Sequence, residues 1–402
     1  MRISLATSVF ALVAPAFAAA FPGDPESLPG CRFFTVATFD ANLRVIDGVT
    51  GVTMSSVPMT TGEGTIQGAV SLAQGPNALF VVLRIEGLSR DRRLSTVDPA
   101  TGVTTTIGNL GDNFSSITFT PDGRLFGVTG DGGFTPETLF EIDPNDASTT
   151  EIASLGIGDD GEVIAFDPSS GGLLHASGSG RLNDPEEGLN LSVLFPDRLR
   201  SKSRRLSGFE TAEISALRPL PGGAVLAANI DGRLITIDRK GFITEGPTVD
   251  HSNCRGLVPL APAGSNVGAK IGIKLNFAAA GSDAVKLQLS GLDLGPFDAA
   301  GATVAVDIGN VGSGNVTLDG QGRFVGKTGS LTMTREPSGN TWKLVLSAKD
   351  SDLQDLRQLG FVDADTAARL PLCLRFRSGA IEREILVLVS YKAKQGKTGS
   401  AK

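Results

Sequence analysis

The 402-residue chain reads as an all-β protein: a five-bladed β-propeller closed between its N- and C-terminal strands, followed by a β-sandwich with one short helix. Three observations predict this. A unit of four short strands returns about every 47 residues, a period that signals a propeller. Turn residues stand at matching places in each unit. Beyond Leu260 the period vanishes, while strand-like alternation continues.

The period rests on two markers. Innermost strands end in apolar residues at Leu72, Phe119, Phe166 and Leu217, and each third strand runs into an Asp and a turn. The second marker reads Ile46-Asp47, Val97-Asp98-Pro99, Ile142-Asp143-Pro144, Phe195-Pro196-Asp197 and Ile237-Asp238. Pro or Gly stands close to each of these Asp residues, which assigns them to turns. In the clearest unit the strands are Ser115 to Phe119, Arg124 to Val128, Thr138 to Ile142 and Ser148 to Ala153, with Pro121-Asp122-Gly123 as the first turn.

The ends are offset. Arg32 to Met54 supplies only a second, third and fourth strand, and the missing first strand reappears at Arg255 to Leu260. The two ends complete one blade, which closes the ring and leaves no free edge at the seam. The count is five. The fourth unit carries a long insertion, Ser177 to Asn190, and then a basic run from Arg198 to Arg205 that reads as a solvated outer strand.

Residues 261–267, containing Ala261-Pro262-Ala263-Gly264-Ser265, read as a linker. The sandwich is expected over residues 268–391, with strands from Lys270 to Phe277 through Ile381 to Tyr391. Its helix starts at Ser351 or Asp352, sets Leu353, Leu356 and Leu359 on one stripe and stops at Gly360. Residues 392–402 are rich in Lys, Gly and Ser and are expected to be a disordered tail.

Residues 1–20 fit a signal peptide: Met1-Arg2, a short apolar run from Ile3 to Phe17, then small-x-small at Ala16-Phe17-Ala18 or Ala18-Ala19-Ala20. The Cys of an alternative lipobox, Leu28-Pro29-Gly30-Cys31, stands too far beyond the apolar run, with charges between. No other stretch approaches the ~20 apolar residues of a transmembrane helix. The expected location is secreted or periplasmic. In such an oxidising compartment Cys31 and Cys254, which bracket the repeats, are candidates for a disulfide at the seam. Cys373 is then a free, partly buried thiol. A net charge of −7 disfavours nucleic-acid binding.

The segment Leu94-Ser-Thr-Val-Asp-Pro-Ala-Thr-Gly102, followed by Ile117-Thr-Phe-Thr-Pro-Asp-Gly-Arg-Leu-Phe-Gly127, resembles secreted bacterial β-propellers of the broad YVTN/NHL/WD40-like superfamily. The resemblance spans about Cys31 to Leu260. The C-terminal part, from Ile271-Gly-Ile-Lys-Leu-Asn-Phe277, is similar to uncharacterised β-sandwich domains of exported bacterial proteins. Neither resemblance implies a catalytic residue, since a fold does not fix a function.

Propeller ligands commonly bind at a channel mouth. The loops leading into the innermost strands carry Glu63, Asp112, Asn113, Asp159, Asp160, Glu162, Glu210, Glu213, Asp250, His251 and Asn253. Oxygen ligands converging on one axis would suit Ca²⁺, with Glu162, Glu213, Asp112, Asp159 and Asp250 as the candidate set. The competing reading has these residues bonding their own turns, or Arg255 pairing with the glutamates. For a hydrolase of glycosidase type, Asp160, Glu162, Glu213 and His251 are the candidate acids and bases. One Trp and one Tyr in the whole chain argue against a sugar platform, and no nucleophile elbow, HExxH or P-loop is present. His175, between Leu174 and Ala176, reads as a core residue. Two readings stand: an exported, non-catalytic binding or scaffold protein for a protein or glycan partner, and a Ca²⁺-dependent hydrolase at the channel mouth. The motifs favour the first.

Overall fold

The computed structural model describes residues 31–88, 90–155, 163–178, 189–198, 200–260, 267–279, 281–309, 311–337, 339–351 and 353–402. The signal-peptide segment, most of the linker and the greater part of the Ser177 to Asn190 insertion lie outside them.

Five antiparallel sheets form the ring. Blade one is ordered Cys254–Pro259, Arg32–Ala37, Asp40–Asp47 and Thr53–Pro58, innermost strand first, so the chain ends do close the ring. The innermost strands of blades two to five are Ile66–Gln74, Phe114–Phe119, Val163–Asp167 and Ile214–Pro219. Each packs on the next, and Cys254–Pro259 packs on both Ile214–Pro219 and Ile66–Gln74. A two-residue strand, Ser207–Gly208, adds a parallel edge to blade five.

Hydroxyl groups hold the innermost strands in register. The Ile117 N–H donates to Ser71 Oγ at 2.9 Å, the Ile164 N–H to Ser116 Oγ at 3.1 Å and the Phe166 N–H to Thr118 Oγ1 at 3.1 Å. At the seam Ser215 Oγ donates to the Cys254 carbonyl at 2.7 Å. Inner-strand amides that face another blade have no ladder partner, and a buried donor must find one. Because Ser116 meets Ile164 and Thr118 meets Phe166, these neighbouring strands run in the same direction. The ring therefore has an upper mouth, where the chain enters the innermost strands, and a lower mouth, where it leaves them.

Turn chemistry accounts for most of the repeated Asp residues. Asp47 Oδ1 accepts the Val49 and Thr50 amides, Asp98 Oδ1 the Ala100 amide, Asp143 Oδ1 the Asn145 amide, and Asp238 Oδ1 the Lys240 and Phe242 amides. Asp197 differs: it lies in a 3₁₀ turn, Pro196–Arg198, and pairs with Arg124 of blade three at 2.8 Å.

The C-terminal region is one eleven-stranded sheet. It curls until its halves face each other across a core that includes Leu287, Leu331 and Leu344 on one side and Val306, Leu374 and Val387 on the other. Phe297 seats edge-on against both Trp342 and Phe376 within it. The short helix is a 3₁₀ segment, Gln354–Leu359, preceded by Leu353 without a side-chain cap. Gly360 ends it with a left-handed φ of 92°, a conformation that costs glycine little.

The expected disordered tail is a correction. Ile381–Lys394 runs past residue 391, and Thr398–Ala401 pairs with both Ile381–Lys394 and Gly268–Asn276. The last strand fills a gap between two sheet strands, so its backbone groups bond on both sides. The glycine in this stretch is required: a Cβ on Gly399 would lie 2.5 Å from Tyr391 Oη.

The disulfide is a second correction. Cys31 bonds Cys373 rather than Cys254, across 342 residues. Register explains why. Arg32–Ala37 pairs with Cys254–Pro259 so that Ala37 faces Cys254 and Phe33 faces Pro259. Cys31 and Cys254 therefore stand at opposite ends of the paired strands, roughly 20 Å apart at the usual strand rise. Cys254 is a buried free thiol, 2.9 Å from Thr35 Oγ1. Burial pushes its pKa up to about 11, against which Thr35 works only in part.

Candidate functional site

The disulfide sits where the curled sheet meets the lower mouth. Residues alternate along Thr366–Ser378 and Ile381–Lys394: Leu372, Leu374, Ile385 and Val387 enter the sheet's own core, while Cys373 and Leu386 pack with Cys31, Phe33 and Leu220 of the propeller. Both faces are buried, which is why Ile385 to Val389 is an unbroken apolar run. Beside the disulfide, Arg32 donates its backbone amide to Glu384 Oε2 and its Nε to Oε1, each at 2.8 Å. Its NH2 pairs with Glu382 at 2.8 Å, and Arg375 Nε reaches Glu384 at 3.1 Å. Burial pulls the Arg32 guanidinium down, but the two carboxylates outweigh it and leave its pKa raised. Asp238 of blade five also pairs with Arg369 of the sheet.

Docked this way, the sheet lies over a cavity of about 880 Å³ that occupies the lower half of the channel. Every innermost strand contributes to its wall, as do the lower turns at Pro121, Pro168 and Pro221; Asp293 and Arg383 to Leu386 line it from the sheet. Its size falls within the range of small-molecule sites. The wall is mixed, with Leu72, Ile117, Phe166 and Leu386 beside polar groups that already have partners. Asp167 accepts from Ser169, Asp293 from the Gly295 amide, and Arg383 donates to the Asp293 and Glu382 carbonyls.

Arg218 is the exception. It follows the marker Leu217, where the matching residues in blades three and four are the turn formers Thr120 and Asp167. It is among the residues that line the cavity, and its side chain makes no hydrogen bond or ion pair with the described residues. Burial alone pulls its pKa down to about 10, with no carboxylate to offset the loss of water. Arg218 is half-buried.

The described members of the acidic set expected at a mouth lie at the other, upper end. Asp159, Asp160 and Glu162 fall outside the described residues. Asp112 accepts the Asn113, Phe134 and Thr135 amides and the Thr135 hydroxyl at 2.7 to 2.9 Å, fixing the loop before blade three's third strand. Burial works to raise its pKa, but these bonds leave it lowered. Glu213 lies 3.8 Å from Arg255, the pairing weighed as an alternative, and Glu63 lies 3.1 Å from Arg93. Asp250 accepts from Thr53 Oγ1 at 2.7 Å and stands 3.0 Å from His251 Nδ1; the Thr53 bond, then His251, holds its pKa low. His251 is itself lowered, by burial first, with Asp250 opposing. Among the described residues, no three His, Cys, Asp or Glu side chains gather as metal ligands would. His175 is buried in the second strand of blade four.

Sequence reasoning missed the lower site because a non-repeating domain creates it. The signals available were Arg218 at a position of turn formers and the two-sided apolar run at Ile385 to Val389.

No family model matches the chain, and no curated protein matches it. Among solved structures it is similar to glutaminyl cyclase of Myxococcus xanthus, at 14% identity over 48% of this chain and 70% of that one, TM-score 0.31. It is similar to hydrazine synthase of Kuenenia stuttgartiensis at 14% identity, over 69% and 81%, TM-score 0.32. An exo-beta-1,3-galactanase from Phanerochaete chrysosporium matches at 8% identity, over 83% and 90%, TM-score 0.34. Scores of this size carry no argument about the chemistry of this chain. Among the described residues no helix is long and apolar enough to cross a membrane.

Proposed function

We propose that this protein is an exported, non-catalytic binding protein whose ligand seat is the lower half of the propeller channel, under the curled sheet. The observation that carries this is the cavity of about 880 Å³, walled by all five innermost strands and lined on the sheet side by a domain fastened through the Cys31–Cys373 disulfide. Rigid walls favour binding because little ordering is left to do when a ligand arrives. The hydroxyls of Ser71, Ser116, Thr118 and Ser215 are engaged with neighbouring strands, so the wall uses them to hold the ring. Export agrees with the apolar N-terminal segment and with a disulfide that needs an oxidising compartment.

The test is a fluorescence titration of the full chain with N-phenyl-1-naphthylamine, an uncharged apolar probe, followed by hydrogen exchange on the complex. One probe per chain is expected, with added protection in Phe114–Phe119 and at Arg383 to Leu386. No binding, or protection confined to the outer strands, would overturn the reading.

A further inference from the structure

We infer that the cavity takes a small organic anion, an apolar body ending in a carboxylate, and that Arg218 anchors its charge. This rests on the cavity being the ligand seat and names the chemical class of the ligand.

Two independent observations point to it. The first is the inventory of charge along the wall. Arg32, Arg218 and Arg383 meet Asp167, Asp293 and Glu384. Five of these six side chains already have partners. Glu384 is held by Arg32 and Arg375, Asp167 by its own turn, Asp293 by the Gly295 amide, and Arg383 by two carbonyls. Of the six, Arg218 alone has no side-chain partner among the described residues. A guanidinium offers a planar fork of donors that matches a carboxylate two bonds at a time. Placed out of bulk water without an anion, it is the sort of group that a protein keeps paired.

The second observation is the remaining wall. Leu72, Ile117, Phe119, Phe166, Leu217 and Leu386 give it an apolar character that free phosphate or sulfate does not need. A site with apolar walls and one fixed charge orients an amphipathic molecule: body against the strands, head on the guanidinium. Arg218 precedes the turn Pro219-Leu220-Pro221-Gly222, and its backbone is tied into blade five opposite Leu226. The anchor thus stands on a rigid strand.

The experiment uses N-phenyl-1-naphthylamine bound to the full chain as reporter and compares displacement by decanoate and by decanol at neutral pH. In the wild type, decanoate is expected to displace the probe at about tenfold lower concentration, the size of one charge-assisted pair. Arg218→Met is expected to lose that preference, read as the ratio of the two displacing concentrations within the variant, whatever its own affinity for the probe. Equal displacement by the acid and the alcohol in the wild type overturns the anion assignment, whatever becomes of the variant's folding, while leaving the seat itself standing. A preference that survives in folded Arg218→Met overturns the role of Arg218. Displacement by inorganic phosphate as effective as by decanoate overturns the apolar body. If the probe does not bind the wild type at all, the seat itself fails, and this inference with it.

Discussion

Arg32 and Glu384 are joined twice, once through the Arg32 backbone amide and once through its side-chain Nε, and this pair stands beside the disulfide that links the two domains. The side chain of Glu384 is 2% exposed, and Arg375, which also reaches it, is 5% exposed. Its carboxylate is therefore the common acceptor for two guanidinium groups at the interface. Glu384→Gln leaves Arg32 and Arg375 to the more exposed Glu382, and removing one member of a buried ion network costs about 3–5 kcal/mol. The expected result is a lower unfolding midpoint by that amount in denaturant. Glu382, more exposed, is the comparison: Glu382→Gln should cost under about 1 kcal/mol. Equal losses in the two variants would show that the domains are not held together through Glu384.

The Cys31–Cys373 bond closes a loop across 342 residues. By loop-closure entropy such a bond contributes about 6 kcal/mol. Replacing both residues by Ser should lower the midpoint accordingly. Thiol counting checks the pairing directly. The denatured, unreduced chain should show one reactive thiol, Cys254, and three after reduction. The native chain should react slowly, since Cys254 is buried and its pKa stands at about 11. A denatured, unreduced chain with three reactive thiols would refute the bond.

The blades were legible in the sequence because each repeats a local device: a turn Asp or Pro-Asp-Gly between apolar runs. Thr138–Ile142 was read to the residue, and the seam followed from counting strands at both ends. The cysteine pairing was not legible, because it depends on which end of a strand faces a separate domain. The acidic residues of the upper loops were legible as a candidate set, but the partners of the described ones were not. Asp112, Asp250 and Glu213 have bonds to amides, hydroxyls and Arg255 that only the folded ring brings near. The cavity was hidden for the same reason, since half of its significance comes from Arg383 to Leu386 lying over strands more than a hundred residues away in sequence.

The hydroxyl belt gives a third test. Ser71 is 3% exposed, and its oxygen is the acceptor for the Ile117 amide. Ser71→Ala leaves that donor buried without a partner, a loss of about 1–3 kcal/mol. Thr101→Ala is the control, because the Thr101 hydroxyl bonds an exposed turn Asp and should change stability by no more than about 0.5 kcal/mol. Matched chemical denaturation curves decide it. A Ser71→Ala midpoint equal to the control's would mean that the belt does not hold the inner strands.

Asp307 supplies a pH-dependent prediction. It lies in Thr303–Ile308, is 1% exposed and stands opposite Arg375 in the neighbouring strand. Arg377 pairs with its Oδ2 at 2.8 Å. Burial raises its pKa, and the pull of Arg377 and then Arg375 does not cancel that rise; Glu382 adds to it. A carboxyl whose folded value is raised favours the folded state while protonated, and that benefit is lost as pH climbs through the folded value. Above the folded value the fold thus holds an ionised group that water would hold better. Asp307→Asn removes the charge, and Arg377, 46% exposed, keeps enough water to stand alone. The variant should melt above the wild type at pH 7, and the gap should close as pH falls below about 4, where an ordinary carboxyl is protonated in both states. Melting curves across this range check the sign. A variant that melts lower at pH 7, or a gap that does not change with pH, would mean that the Arg377 pair outweighs the cost of burial.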